Sequence, residues 1–434
     1  MQTENLIFLI IFVFAVGFFS YNLSKIIRNI SLGKKKNRFD NPVTRSIILL
    51  KVAFGQTKIL ARPVSGILHA IVWWGFLVIT VGTLEMAIDG VFGTERVFGF
   101  MDVFYKIVTA SGDVMAVLIL ISCVLFLTRR HWVKVKRFSG KEIKKKSSVD
   151  ATIALVIIIF LMISLLTMNL GYLGLHEDSF VGSYPISNLL LPYIQSWETE
   201  SIELFHKVSW WSHIMLVLIF LNELPYSKHF HVIMSIPNVY FSNIEELGQM
   251  DNMTSVKKEV ELMMDPNADP YATPPASAAP PERFGAKDVT DLNWIQLMNA
   301  YSCTECGRCT SECPANQTGK LLSPRKIMMD TRDRLKEVGK NIDKHGKDHV
   351  DNKSLLYDYI KPEEIWACNT CNACTQACPL NIDPLSIIVD LRRYLVMEES
   401  KVPGDLASML TNIENNGAPW QFSPTDRFNW VNED

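Results

Sequence analysis

Five stretches of the chain are apolar on every helical face for long enough to cross a bilayer, which takes about 20 residues. They run over 6–23, 64–84, 107–128, 151–170 and 202–224. A core helix of a soluble protein is seldom apolar all round for so long, so the pattern predicts five transmembrane helices. The first run lacks a basic n-region before it and a small-residue cleavage site, and is expected to stay as an anchor. Beyond the fifth run the pattern changes. "LPYSKHFHVIMSIPNVYF" reads as an extension leaving the membrane along its surface. "DPNADPYATPPASAAPPERFG" has no periodicity and reads as a semi-rigid linker. From about residue 291 the pattern is helical again, with a charged helical stretch over 324–350. The expected organisation is all-α: a five-helix bundle over 1–245, a helical segment and linker over 246–290, a helical domain over 291–400, and a tail over 401–434 that drapes over a partner.

The net charge of −2 gives no reason to expect nucleic acid. Its distribution is more informative. "KIIRNISLGKKKNRFD" follows the first run and "RRHWVKVKRFSGKEIKKK" follows the third, whereas 173–206 holds no Lys or Arg and carries Glu177, Asp178, Glu198 and Glu200. The positive-inside rule then sets the N-terminus outside, and both basic loops and everything after the fifth run inside. The expected setting is the cytoplasmic (inner) membrane of a bacterium or archaeon.

Eight of the nine cysteines fall in two copies of one pattern, "CTECGRCTSECP" over 303–314 and "CNTCNACTQACP" over 368–379. Three cysteines at two-residue intervals wrap one short turn around three iron corners of a cubane, and the fourth, before proline, reaches to the other cluster. The spacing assigns one 4Fe-4S cluster to Cys303, Cys306, Cys309 and Cys378, and a second to Cys368, Cys371, Cys374 and Cys313. Zinc sites use four ligands, often as separated pairs, and have no use for a doubled triplet with a distant fourth. Disulfides do not suit so tight a spacing in a cytosol-facing domain. Cys123, alone in the third run, reads as a small buried residue.

Histidine within a membrane is costly without a partner or a ligand role. If the fifth helix continues past Pro225, His213 and His231 share one face about 27 Å apart, so they would serve two haems rather than one. His69 lies near the inner end of the second run. His176, His206 and His229 lie near the boundaries, where water satisfies them. Asp113 lies inside the third run and reads equally as a proton-handling group at a quinone pocket or as an acid that reaches water; Glu85 and Asp89 are weaker candidates. Trp73, Trp74, Trp210 and Trp211 flank a haem or quinone, or anchor the interface.

"SCTECGRCTSECPAN" and "WACNTCNACTQACPLNIDP" resemble the helical dicluster ferredoxin domain of heterodisulfide reductase C subunits, related to the C-terminal domain of succinate dehydrogenase iron–sulfur proteins. "ILHAIVWWGF" and "LPYSKHFHVIMSIPN" resemble the haem b membrane subunit of heterodisulfide reductase and, more distantly, the gamma subunit of respiratory nitrate reductase, also a five-helix protein. The second resemblance implies an inner haem b between His69 and His231 and an outer haem b at His213. The nitrate reductase relative has a second histidine on its second helix where this chain has Ile79, so the outer haem lacks a sixth ligand and is five-coordinate or absent. Depth counting alone leaves a single His69–His213 haem open.

A haem-bearing bundle joined to two clusters is an electron path, and a quinol such as menaquinol is the expected membrane donor. In the heterodisulfide reductase family, substrate chemistry lies on a module with paired cysteines followed by glycine, and this chain has no adjacent cysteine pair. The reading is an electron-transferring subunit whose catalytic centre sits on a cysteine-rich partner of the heterodisulfide reductase D or B type. A self-sufficient ferredoxin–quinone reductase and a redox-sensing membrane protein are the alternatives.

Overall fold

Five long helices form where the five apolar runs lie. They are α1 (Thr3–Ile30), α2 (Pro63–Phe92), α3 (Val103–His131), α4 (Lys145–Leu175) and α5 (Thr199–Glu223). The structure is a computed structural model and describes residues 3–138, 140, 142–177, 179–267 and 283–432. The shortest of the five has 25 residues, about 38 Å at 1.5 Å per residue, which exceeds a hydrocarbon core of about 30 Å. Proline opens α2 at its first position, where its missing N–H costs nothing, and Gly93 ends it in the left-handed conformation (φ 73°). Large apolar side chains such as Ile10, Phe14, Val64 and Phe160 point outward, as lipid contact requires. α4 packs along α5 and α3, α3 along α2, and α1 against α5 and α2. Small residues set the closest approach: a Cβ on Gly171 would stand 2.8 Å from Cβ of His206 across the α4–α5 seam.

The fifth helix does not continue to His231. It ends at Glu223; Pro225 follows, and Ser227 is extended (φ −105°, ψ 166°) with its hydroxyl accepting from the His229 N–H. The chain then restarts as α6 (His231–Tyr240). The shared-face argument for His213 and His231 therefore fails, because it assumed one uninterrupted helix. A proline that bends a helix within an apolar run ends it outright when a serine cap lies two residues on.

The cysteine-bearing part is built on α7 (Trp294–Ser302), α8 (Pro324–His345) and α9 (Pro384–Met397), with the cysteine segments between them. Among the described residues there is no strand, only two isolated bridges. The linker expected over 265–285 lies mostly outside the described residues. Helix α10 (Gly404–Asn416) leaves Leu410 and Ile413 of the tail exposed.

This cysteine-bearing part is docked tightly on one end of the bundle. One hydrophobic core runs from Ile26, Leu224, Phe230 and Met234 into Ile295, Leu297, Ile327 and Ile388. Lys34 N donates to Leu292 O (2.8 Å) and Trp294 N to Lys34 O (3.1 Å). Asn29 donates to the Tyr301 hydroxyl (3.0 Å) and packs on Gly339, where any Cβ would collide with it. Arg308 donates to Lys58 O (2.9 Å), and Asn238 to Leu380 O (2.7 Å). Arg325, only 2% exposed, pairs with Glu142 (2.6 Å) and donates to Arg137 O (2.7 Å). Lys34, Lys58, Arg137 and Glu142 lie on the polar segments between the apolar helices, so those segments and the cysteines share one end of the bundle.

Candidate metal centres

The two cysteine loops have the same backbone. In the first, Glu305 (φ 57°) and Gly307 (φ 74°) are left-handed; in the second, Thr370 (φ 56°) and Asn372 (φ 60°) stand at the equivalent positions. Alternating left-handed residues coil C-x-x-C-x-x-C tightly enough for three thiols to face inward. Left-handed Glu and Thr are unfavourable, so the surrounding fold must hold them. Each loop then enters a short helical turn, Arg308–Ser311 and Ala373–Ala377.

Cys303, Cys306, Cys309 and Cys378 line one small cavity of about 20 Å³. In the other set, the Cys368 thiol is pushed up by burial and by the neighbouring Cys313 and Cys371 thiols. All eight are free thiols. Burial raises Cys303 to about 11, and Cys374 and Cys378 to about 12, so they become thiolates when a cation draws them. Backbone N–H groups already reach two sulfurs, from Thr370 to Cys368 (3.4 Å) and from Ile382 to Cys378 (3.3 Å). Among the described residues no three His, Cys, Asp or Glu side chains are arranged around a single ion. Cys371 is exposed while Cys303, Cys313 and Cys374 are buried.

His69 and His231 face each other with ring centroids 6.3 Å apart. Two imidazoles gripping one metal from opposite sides, at about 2.0–2.1 Å each, have centroids separated by about 6 Å. Nδ1 of His69 lies 3.1 Å from Gln56 Oε1, and Nδ1 of His231 lies 3.0 Å from Lys228 O. These contacts leave both Nε2 atoms as ligands and fix the rings. The donor set thus fits the iron of a haem. The histidines open on a cavity of about 270 Å³ lined also by Trp73, His229, Arg137 and Cys306.

The other expected residues lie elsewhere. Nδ1 of His213 is taken up by Leu161 O and Ser164 Oγ, both at 3.0 Å. The cavity before it measures about 50 Å³ and is lined by Ile79, which is room for a few waters and not for a porphyrin. Asp113 accepts from Ile186 N (2.7 Å), Ser187 N (2.9 Å) and Ser187 Oγ (2.5 Å), so its carboxylate caps the short helix Pro185–Leu190. It is 1% exposed, and a cavity of about 50 Å³ lies beside it. Glu85 accepts from Phe98 N and the Tyr105 hydroxyl, and Asp89 from Thr94 and Arg96 N; both fasten the loop after α2. Trp210 and Trp211 pack on Phe8, and Cys123 is fully buried. Sequence reasoning missed Gln56, which holds His69 from a left-handed backbone position (φ 55°), and His229, which lines the cavity instead of meeting water. Nothing in the local sequence marks Gln56, because its role depends on how the chain folds back in the turn before α2.

Residues 302–382 match the 4Fe-4S dicluster domain family. A probable iron–sulfur-binding oxidoreductase of Bacillus subtilis is 30% identical over 99% of this chain and 61% of its own length. The EtfAB:quinone oxidoreductase of Syntrophomonas wolfei is 26% identical over 88% of this chain and 53% of its own. The C component of the ferredoxin/F(420)H(2)-dependent CoB-CoM heterodisulfide reductase of Methanosarcina acetivorans is 33% identical over 27% of this chain and 60% of its own. The chain thus spans little more than half the length of the first two relatives. No solved structure matches. This chain thus joins a 4Fe-4S dicluster domain to five helices long and apolar enough to cross a membrane, and is similar over most of its length to iron–sulfur oxidoreductases.

Proposed function

We propose that this chain is the membrane-anchoring electron-transfer subunit of a quinone-linked oxidoreductase, working between a membrane quinol and a separate cytoplasmic protein that carries the catalytic centre. The observation that carries the reading is the cavity shared by His69, His231 and Cys306. The histidine pair of the bundle and a cysteine of the dicluster domain line that one cavity, which supports a short electron path between them.

When bound, two 4Fe-4S clusters and one haem b supply one-electron carriage. Cys303, Cys306, Cys309 and Cys378 would hold the cluster nearer the membrane, and Cys368, Cys371, Cys374 and Cys313 the farther one. His69 and His231 would hold the haem, with their rings steadied by Gln56 and the Lys228 carbonyl. The apolar helices exclude water and give lipid-soluble quinone its access. The exposed Cys371 marks the face open to a partner, and the heterodisulfide reductase relative supports a cysteine-rich partner of that type. The basic loops at the dicluster end favour the cytoplasmic side for it.

The test is anaerobic purification in mild detergent, with iron, sulfide and haem analysis and addition of a menaquinol analogue. The reading expects haem reduction by the quinol and a cysteine-rich protein in the same fraction. Iron and sulfide without a Soret band would remove the haem, and with it the quinol link.

A further inference from the structure

We propose that the inner cavity is built to take a porphyrin by its carboxylates, with Arg130 and Arg137 as the anion-binding side chains that turn the carboxylate edge toward Cys306. The inference rests on the haem reading above and specifies how the site would recognise that group.

Among the described residues, four buried polar atoms that lack a hydrogen-bond partner line this one cavity: Trp73 Nε1, Arg130 Nε, Arg137 Nε and His229 Nδ1. Three of them can only donate. Buried donors without acceptors are costly, so their convergence on one space calls for a ligand rich in acceptors. The charges agree. Arg130, Arg137, Lys228 and Arg308 line the cavity, against one acid, Glu305, which pairs with Lys228 and Arg332. Arg308 is already committed to the Lys58 carbonyl.

Arg130 donates through Nη2 to Ser148 O (3.0 Å) and Ser148 Oγ (3.1 Å), which leaves its Nε without a partner, as Arg137 Nε is. The guanidinium carbons of Arg130 and Arg137 lie 5.5 and 5.1 Å from the centre of the same Phe138 ring, so one aromatic side chain carries two half-buried cations. The ring offsets part of the cost of burying them, and an anion bound in the cavity would offset more. The remaining lining mixes apolar and aromatic residues, among them Val52, Trp73, Phe126 and Leu380, with Ser65, Ser235 and Thr304, and the apolar part suits a flat ring with a charged edge. Arg137 and Cys306 line the same cavity, so an anion that Arg137 binds shares that space with the dicluster domain.

The experiment uses the full chain, purified anaerobically as wild type, Arg137→Gln, Arg137→Lys and Arg130→Gln, with haem midpoint potential, haem retention and iron content measured for each. Loss of a cation beside the porphyrin favours ferric iron. Each Gln variant is expected to shift the oxidised-to-reduced ratio at fixed potential about tenfold, a fall of about 59 mV for one electron, and to lose haem severalfold faster. Arg137→Lys is expected to restore the wild-type value. Non-haem iron content stays unchanged if the dicluster domain remains folded. Independently of any variant, wild-type protein stripped of haem is expected to bind haem dimethyl ester at least tenfold more weakly than haem. An unchanged midpoint in both Gln variants, or equal affinity for haem and its dimethyl ester, overturns the inference. Co-purified phospholipid lost on Arg137→Gln with an unchanged midpoint assigns the cations to a lipid headgroup and also overturns it. Wild type without a Soret band removes the haem reading and this inference together.

Discussion

Replacing Glu142 by alanine removes the partner of the most buried cation at the junction between bundle and dicluster domain. Arg325 is 2% exposed; both its Nε (3.2 Å) and Nη2 (2.6 Å) donate to Glu142 Oε1, which also accepts from Ser323 Oγ (2.8 Å). Breaking a buried ion pair from one side costs about 3–5 kcal/mol, because the remaining charge is left without compensation. Arg325 keeps its bond to the Arg137 carbonyl, which argues for the lower end, about 3 kcal/mol. At about 1.4 kcal/mol per tenfold, opening of the junction becomes roughly a hundredfold more frequent. Hydrogen exchange in 132–144 and 303–326 should accelerate by that factor, while exchange within α1 to α5 stays near wild type. The double change Glu142→Leu with Arg325→Met should recover most of the protection, since apolar replacement of a buried pair is often neutral. Burial pushes the Glu142 carboxyl up, but the Arg325 hydrogen bonds and charge outweigh it and hold it below its ordinary 4.5. A depressed folded value means the pair stabilises fully above about pH 4.5 and is lost as pH falls through the folded value. Glu142→Ala protein should therefore lack the acid-triggered loosening that wild type shows below that pH. Unchanged exchange in both segments would show that the shared core alone holds the domains together.

Three further expectations concern the centres themselves. Gln56→Leu removes the acceptor on His69 Nδ1 and should weaken haem retention about 10–100-fold, read as Soret loss on dilution with iron content constant. Cys378→Ser, although it lies in the second motif, should disturb the same cluster as Cys306→Ser, since both line one cavity; each should remove the same signals in low-temperature electron paramagnetic resonance and spare the others. Asp113→Ala should cost about 1–2 kcal/mol of stability through the lost helix cap, measured by thermal inactivation in detergent, and leave quinol-dependent haem reduction unchanged.

Much of this fold could be read along the chain because the bilayer imposes one rule on every spanning residue. Five apolar runs became five helices, most extending past the predicted ends, for instance Thr3–Ile30 against 6–23, since flanking polar residues prolong a helix without lengthening the apolar signal. The doubled cysteine spacing was equally legible, because a cluster needs its ligands close in sequence. Long-range placement was not. His231 comes to His69 through a break at Pro225 and a restart after Ser227, and a periodicity argument that crosses such a break returns the wrong face. The sequence left Asp113 equally a proton-handling group or an acid reaching water; its partners, Asn169 and the start of the short helix Pro185–Leu190, lie 56 to 74 residues onward, beyond the reach of local pattern. The Arg325–Glu142 pair and the Phe138-centred arginines likewise depend on contacts that no spacing rule announces.

The central claim is that the histidine pair and the Cys306 cluster form one conducting path. It is tested most directly by adding menaquinol analogue to anaerobic His69→Ala and wild-type protein and following cluster reduction by electron paramagnetic resonance, with dithionite as a control reductant. The account predicts that quinol reduces the clusters in wild type but not in His69→Ala, while dithionite reduces them in both. Equal cluster reduction by quinol in the two proteins would contradict it.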